Sequence, residues 1–489
     1  MKILFVSSEA FPLIKTGGLA DVSGSLPAAL RELGADVRLL IPGYPAVLEK
    51  LLNQQTLIEL KQLPMIGNAT LLTGEMPDSG VPVMAISCPS LYLREGGPYL
   101  DANGQDWIDN PLRFGILSYV AALLSNAASP LADWIPDIVH CNDWQSGLTP
   151  AYMHYMGAGR TEMHHAKSVL GIHNLAFQGN YPATWVNHLR LPAVSYQIDG
   201  LEFYGQMSFL KAGIHYADSI VTVSPTYAQE IQTEEYGCGM QDLLELRSKD
   251  IYGILNGIDT DEWNPAKDPY LPQPYDAENL TAKKATKRAL QKDLGLTQDI
   301  GAPMLGVVSR LTHQKGLDLF LACAEPLLVQ GCQIVLLGSG DPALEQGFKQ
   351  LAEAYPSQVS VTIGYNEPFS HQIMAGADMF IMPSHFEPCG LNQMYGLRYG
   401  TPPVVRRTGG LADSVQDTNA ATLANGTATG FVFTLSGQIA LLTCIQRALN
   451  YYQDKEAWQK IQHNGMSRDL GWDQSAKAYL KVYNALRNL

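Results

Sequence analysis

The chain has 489 residues, of which 46% are apolar, 9% aromatic and 16% charged. A length of this order suggests two or three domains at about 100–200 residues each, and the apolar share excludes wholesale disorder. Formal net charge is −14, with 14 basic against 25 acidic residues in 1–250 and 19 against 22 in 251–489, so neither half looks like a partner for nucleic acid or an anionic membrane.

In chain order, residues 3–6 form a short apolar run that reads as a buried strand, followed by a helix over about 21–33 that stops at Gly34. Further strands are expected at 36–41, 137–141, 168–171 and 219–223. Strands that are apolar almost throughout, alternating with helical patterns, describe a parallel sheet covered on both faces, with right-handed crossovers. The rhythm restarts after about residue 250, with strands at 251–255, 304–308, 333–337, 359–363, 379–382 and 403–405 and helices at 317–329, 343–354 and 391–399. Two doubly wound α/β domains therefore fit 489 residues better than one very large sheet. The hinge is placed at about 238–250. Residues 268–292 read as a loop running into an exposed helix whose KKATKR run (283–288) is a solvated face. From about Gly437 onward the pattern is helical, and its last stretch puts Tyr479, Val482, Tyr483 and Leu486 on one face.

Seven scattered cysteines without a C-x-x-C favour reduced thiols over a disulfide framework or a zinc site. The opening MKILFVSSEAF is too short an apolar run for a signal-peptide core, and no stretch of about 18 apolar residues occurs. A cytoplasmic location is expected.

Four sets of residues carry chemistry. Thr16-Gly-Gly-Leu-Ala-Asp21 recurs as Thr408-Gly-Gly-Leu-Ala-Asp413, preceded by Lys15 and Arg407. Both copies read as turn-to-helix starts, and paired glycines there can expose amides to phosphate, with the adjacent base adding charge. Arg310 and Lys315 follow a strand and precede a helix, suiting a forked and a point-charge contact with phosphate. Glu387, in Pro383-Ser-His-Phe-Glu-Pro-Cys-Gly-Leu391, lies at a strand's carboxyl end, where open α/β sheets bind ligands. A carboxylate there can bind sugar hydroxyls or stabilise positive charge at an anomeric carbon. Finally, Asp143 and His173 end two further strands beside aromatic or polar neighbours, as expected of a sugar site.

Two competing readings are weaker. Gly338-Ser-Gly-Asp-Pro-Ala343 matches a dinucleotide fingerprint, yet it follows a later strand of its domain and lacks the ribose-binding acid. His164, His165, His140 and Asp143 offer too few convergent donors for a metal, and no metalloprotease, EF-hand or P-loop pattern occurs.

The motifs SSEAFPLIKTGGLADV (7–22), HCNDWQSGL (140–148), GIHNLAFQG (171–179), ILNGID (254–259), VVSRLTHQKG (307–316) and PSHFEPCGLNQMYGLRYGTPPVVRRTGGLADSV (383–415) resemble those of bacterial glycogen synthases and plant starch synthases over essentially the whole chain. The resemblance implies a GT-B architecture, with two Rossmann-like doubly wound parallel-sheet domains facing across a deep cleft. They would span 1–245 and 246–468, and a final helix at 469–489 would cross back onto the first. It also implies a retaining transfer of glucose from ADP-glucose to the non-reducing end of an α-1,4-glucan such as glycogen, starch or maltooligosaccharide, without metal or other cofactor. Carried over, Arg310 and Lys315 would pair with the diphosphate, helped by Cys389-Gly390-Leu391, by Thr408-Gly409-Gly410 and by Lys15-Thr16-Gly17-Gly18. Tyr365 would pack on the base. Glu387, His173, Asn256 and Asp143 would surround the glucose, and Glu9 and Asp21 would line the cleft. Asn142, His385 and Asn392 stand where His, Arg and Thr are frequent, and Tyr395 replaces the second glutamate of the wider E-x7-E pattern. A transferase with another donor or a short acceptor, and a silent glucan-binding homologue, are the alternatives; the second would be expected to lose Lys15, Arg310, Lys315 or Glu387, and all four are present.

Overall fold

The apolar run Lys2–Val6 forms β1, whose last four residues are fully or almost fully buried because sheet neighbours flank it on both sides. The computed structural model describes residues 1–131, 133–157 and 166–488 and divides into two units, 1–257 with 472–489, and 258–471. Among the described residues no helix is long and apolar enough to cross a membrane.

In the first unit β1 is joined by β2 (Asp36–Pro42), β3 (Leu52–Leu63), β4 (Gly67–Glu75), β5 (Pro82–Ser87), β6 (Ile138–Asn142) and β7 (Lys167–Ile172). After three short strands, β8 (Asn180–Pro182), β9 (Glu202–Phe203) and β10 (Gln206–Ser208), come β11 (Ser219–Thr222) and β12 (Ile251–Gly253). The main sheet has the order β12-β11-β7-β6-β1-β2-β5-β4-β3, and β8, β10 and β9 form a separate small sheet. Strands β12 to β5 are parallel, whereas β4 and β3 add an antiparallel edge. Strand order reverses between β1 and β6, so the crevice at their carboxyl ends is the ligand position expected of such a sheet.

The second unit contains β13 (Met304–Val308), β14 (Gln333–Gly338), β15 (Val359–Ile363), β16 (Met379–Met382), β17 (Pro403–Arg406) and β18 (Phe431–Phe433). They form one all-parallel sheet in the order β15-β14-β13-β16-β17-β18. This is the dinucleotide-fold arrangement 3-2-1-4-5-6, and it reverses between β13 and β16. Apolar side chains of these strands and of the helices Leu317–Val329 and Gln438–Gln453 make its main core.

Several expectations are corrected. Residues 251–253 do not open the second sheet; β12 pairs in parallel with β11 at the edge of the first. The division therefore falls after residue 257, not 245, and the chain returns to the first unit at 472, not 469. The first sheet is not purely parallel: β3 is exposed over most of its length, so its sequence lacks the apolar alternation that reveals a half-buried strand. The first helix begins at Gly18, three residues before the expected start. The helix Thr281–Asp293 is not a solvated basic face throughout, since Lys283 and Lys287 are buried. Lys287 pairs with Asp378 at 2.6 Å, and Lys283 donates to the Ala375 carbonyl and the Thr401 hydroxyl. The last helix, Trp472–Arg487, packs against Gly18–Glu32 and buries Tyr479, Val482, Tyr483 and Leu486.

Candidate active site

In the first unit the candidate groups lie at the carboxyl ends of β1, β6 and β7. Beyond β1, Glu9 is buried, and its Oε2 accepts from the Thr16 amide at 2.5 Å, the Thr16 hydroxyl at 2.8 Å and the Gly17 amide at 3.2 Å. Its Oε1 accepts from the Tyr99 hydroxyl at 3.0 Å. Burial pushes the Glu9 carboxyl above its ordinary range against the pull of those donors. The two amides expected to meet phosphate thus donate to a carboxylate of the same chain. Lys15 pairs with Asp21 at 2.8 Å, so Asp21 holds the lysine that precedes the glycines. A Cβ added at Gly17 or Gly18 would meet nothing within 4 Å.

Beyond β6, Asp143 has φ 53° and ψ −169°, a conformation sparsely used by side chains other than glycine and common at functional sites. Its Oδ1 accepts from the backbone amide of His173 at 2.7 Å and of Asn174 at 3.4 Å. Desolvation nevertheless dominates and pushes the carboxyl up to about 7. Desolvation also lowers His173 to about 4, so its ring is neutral at neutral pH. Asn142, which sequence reasoning noted only as a departure, sets the tautomer. Its amide nitrogen donates to the Val6 carbonyl at 2.9 Å, which turns Oδ1 toward His173 Nε2, also at 2.9 Å. An amide oxygen can only accept, so His173 carries its proton on Nε2 and offers Nδ1 as an acceptor. Asn256 is buried, and its side-chain oxygen has no partner among the described residues.

His140 is structural: its Nδ1 meets the Tyr483 hydroxyl at 2.6 Å, and burial lowers it to about 3. His164 and His165 lie outside the described residues.

In the second unit the groups follow β13 and β16. Lys315, at the end of the turn His313–Lys315, reaches Glu387 Oε2 at 2.6 Å, and Ser384 Oγ donates to the same oxygen at 3.0 Å. Both partners are largely buried, which strengthens their attraction and makes an unpaired survivor costly. Gly316 has φ 64°, and a Cβ there would lie 2.2 Å from the Pro383 carbonyl. The His385 amide donates to the Gln314 carbonyl at 2.8 Å, so the two loops are stitched together. Arg310 is exposed and has no salt bridge among the described residues. Tyr365 is exposed too, with its hydroxyl bonded to Glu367. Cys389 is buried. Gly390 takes φ 71°, and Leu391 caps the helix Asn392–Arg398. The Gly338–Gly340 turn packs on the backbone of 309–311, with the Leu311 amide donating to Ser339 at 2.9 Å. Its glycines thus support the Arg310 loop.

The expectation that Thr408, Gly409 and Gly410 present amides to phosphate is corrected at Thr408 and Gly410, whose amides donate to backbone carbonyls. All three are buried, and the Gly410 amide donates to the carbonyls of Glu387 at 3.2 Å and Pro388 at 3.0 Å. A Cβ at Gly409 or Gly410 would lie 2.0 Å from the Glu387 oxygen or 2.3 Å from the Cys389 oxygen. Sequence reasoning also missed two supports of this region. Arg406 is buried and donates through Nε to the Ser384 carbonyl at 3.0 Å and through its guanidinium to His385. Tyr395, at the departed second-glutamate position, stacks on Trp263 at 3.7 Å, and Trp263 stacks on His371 at 3.9 Å. A buried Asp268 bonds His371 at 2.7 Å and Tyr399 at 2.5 Å. Arg406 at the end of β17 was the one local signal of the first; residues over 100 positions apart gave none for the second.

Residues 2–246 match the family model described as starch synthase catalytic domain, and residues 302–439 match glycosyl transferases group 1. Glycogen synthase of Nitrosomonas eutropha is 53% identical, over 99% of this chain and 96% of its own. That of Nitrosospira multiformis is 51% identical, over 100% and 98%. The solved catalytic domain of starch synthase IV from Arabidopsis thaliana, bound to ADP and acarbose, has TM-score 0.89 at 33% identity and covers 100% of this chain and 99% of that one. Sucrose-phosphate synthase from Thermosynechococcus elongatus shares only the fold, with TM-score 0.57 at 17% identity over 99% of this chain and 98% of that one. On likeness over its whole length, the chain belongs to the glycogen and starch synthase family, glucosyltransferases of the GT-B class built from two Rossmann-like units.

Proposed function

We propose that the chain transfers glucose, with retention at C1, from ADP-glucose to the non-reducing-end 4-hydroxyl of an α-1,4-glucan, in the cytoplasm and without a metal. The observation that carries this reading is the buried Lys315–Glu387 pair, which lies with the exposed Arg310 at the carboxyl ends of β13 and β16, where strand order reverses. Arg310 and Lys315 bind the diphosphate, Lys315 exchanging its carboxylate partner for phosphate oxygen. Gly390 and Leu391 support the phosphates beside Cys389, and Tyr365 packs on the base. Lys15 adds a further cation, on a loop whose Thr16, Gly17 and Gly18 are shaped by Glu9 and whose lysine is steered by Asp21.

In the transfer step the C1–O bond breaks first, and its electron pair leaves with the diphosphate. Positive charge grows at C1, where Glu387 stabilises it. The acceptor oxygen then bonds C1 on the face the nucleotide leaves, and its proton passes to a phosphate oxygen. Positive side chains take the place of a divalent ion by stabilising the charge that develops on the leaving group. Asp143, His173 and Asn256 orient the sugar. Neutral His173 accepts a hydroxyl proton at Nδ1, and the unpartnered Asn256 oxygen takes another. Seven unpaired cysteines suit the reducing cytoplasm.

The test is transfer of labelled glucose from ADP-glucose or UDP-glucose to glycogen and to maltooligosaccharides, with EDTA present. Faster labelling of glycogen from ADP-glucose, undiminished by EDTA, is expected. Preference for UDP-glucose would move the chain to another donor, and preference for a short oligosaccharide would replace the polymer as acceptor; loss of activity in EDTA that added Mg2+ restores and added Zn2+ does not would remove the metal-free mechanism.

A further inference from the structure

Three side chains beside the Lys315–Glu387 pair take no part in the chemistry above. The donor atoms of His313, Asp318 and His385 all lie within 4.8 Å of one another. His385 Nε2 stands 3.5 Å from Asp318 Oδ1. Both atoms are buried, and among the described residues neither has a hydrogen-bond partner, although they stand within ion-pair distance of each other. With His385 Nε2 as a lone-pair acceptor, two buried acceptor atoms facing each other are costly unless something lies between them. Tetrahedral zinc, with legs of about 2.0–2.2 Å, holds its donor atoms roughly 3.4 Å apart, which matches this separation. His385 Nδ1 meets Ser436 Oγ at 2.8 Å. With the serine oxygen accepting, Nδ1 carries the hydrogen and Nε2 presents its lone pair to the cluster, the orienting contact that metal-bound histidines make.

We propose that His313, Asp318 and His385 bind a zinc-class divalent cation that fastens the turn carrying Lys315 to the loop carrying Glu387. Two imidazoles and a carboxylate form a borderline-soft nitrogen and oxygen donor set that suits zinc over magnesium or calcium. The third ligand must move. The His313 ring lies parallel to that of His385, with centroids 4.5 Å apart and planes 10° apart, so its nitrogen has to tilt inward to share an ion. His313 is exposed, and rotation about its terminal torsion is soft. The nearby Lys315 charge is balanced by Glu387. Among the described residues a second three-ligand group, Glu262, Glu367 and His371, is a poorer candidate because His371 is already held by Asp268. The proposal rests on the roles given to Lys315 and Glu387 above and assigns the ion a fastening role, with no part in the making or breaking of bonds.

The test uses the full chain stripped of metal, with Co2+ as a spectroscopic probe read by visible absorption and equilibrium dialysis, then displaced by Zn2+. One Co2+ per chain with the intense visible bands of low-coordinate cobalt is expected, together with a rise in melting temperature on adding Zn2+. His313→Ala and His385→Ala should each weaken binding by about 100-fold, and Asp318→Asn by about tenfold, and all three should reduce the Zn2+ shift in melting temperature in that order. Because His313 is exposed, its variant tests the site even if the others fold poorly. A wild-type chain that binds no Co2+, or a His313→Ala chain that binds it as tightly as wild type, would overturn the proposal.

Discussion

The hexapeptide Thr-Gly-Gly-Leu-Ala-Asp occurs once in each unit, opening the helix Gly18–Glu32 in one and Gly409–Ser414 in the other. In the first copy the glycines face open space, and the Thr16 and Gly17 amides converge on the Glu9 carboxylate. In the second they are pressed against the backbone of Glu387, Pro388 and Cys389, and the Gly410 amide is used to hold that strand end. One copy is therefore an anion-binding turn, already occupied by a carboxylate. The other is a clamp that sets the position of the glutamate next to Lys315. The two sites differ in charge in the same sense. Burial pushes Asp143 up to about 7 and His173 down to about 4, whereas Glu387 has its countercharge 2.6 Å away. Identical local sequence holds a carboxylate of its own chain where the backbone is open and positions a neighbouring loop where it is covered.

The strongest way to test the contrast is kinetic. Lys15→Ala beside the open copy and Glu387→Ala above the clamped one should each raise the barrier to turnover by about 3–5 kcal/mol while leaving glucan affinity almost unchanged. Wild-type turnover in either variant would remove that residue from the transfer step.

Stability separates the glycines themselves. Gly410→Ala drives a Cβ to 2.3 Å from a backbone oxygen, and a core that cannot yield loses about 3 kcal/mol to such overpacking. Gly17 has φ −153°, extended backbone open to any residue, so Gly17→Ala should leave the denaturant midpoint within about 0.5 kcal/mol of wild type. Equal losses in the two variants would mean that the copies do the same work.

A smaller effect sharpens the difference in charge. The Asp143 carboxyl rises from an ordinary 3.8 to about 7 on folding. The folded state then binds more protons between those values, so stability is fully present below about 3.8 and falls as pH rises through about 7. Asp143→Asn should therefore match wild type in acid and become the more stable of the two above neutral pH, with lower transfer activity. Chemical denaturation from pH 5 to about 8.5 measures it; an undiminished fall in the variant would assign the pH dependence elsewhere.

Much of the fold was legible because its strands are short apolar runs at nearly regular spacing, and the candidate groups lie just past their carboxyl ends. Arg310, Lys315, Glu387, Asp143 and His173 could be found that way. What was missed has no local signature. The strand β3 is mostly exposed and lacks alternation, and β12 is three residues whose partner must be known before it can be assigned. Lys283 and Lys287 look like solvated charges until Asp378, 91 positions beyond Lys287, the Ala375 carbonyl and the Thr401 hydroxyl come to meet them.

By itself, then, the sequence determined many of the elements, their α/β class and the residue types at the strand ends, because these follow from periodicity, turn chemistry and short-range spacing, while the resemblance of its motifs pointed to the family. Only the tertiary structure decided which unit the strand at 251–253 joins, which lysines are buried, and which of two identical glycine turns is open. Those outcomes depend on what packs against a segment from far along the chain, and no local propensity records that.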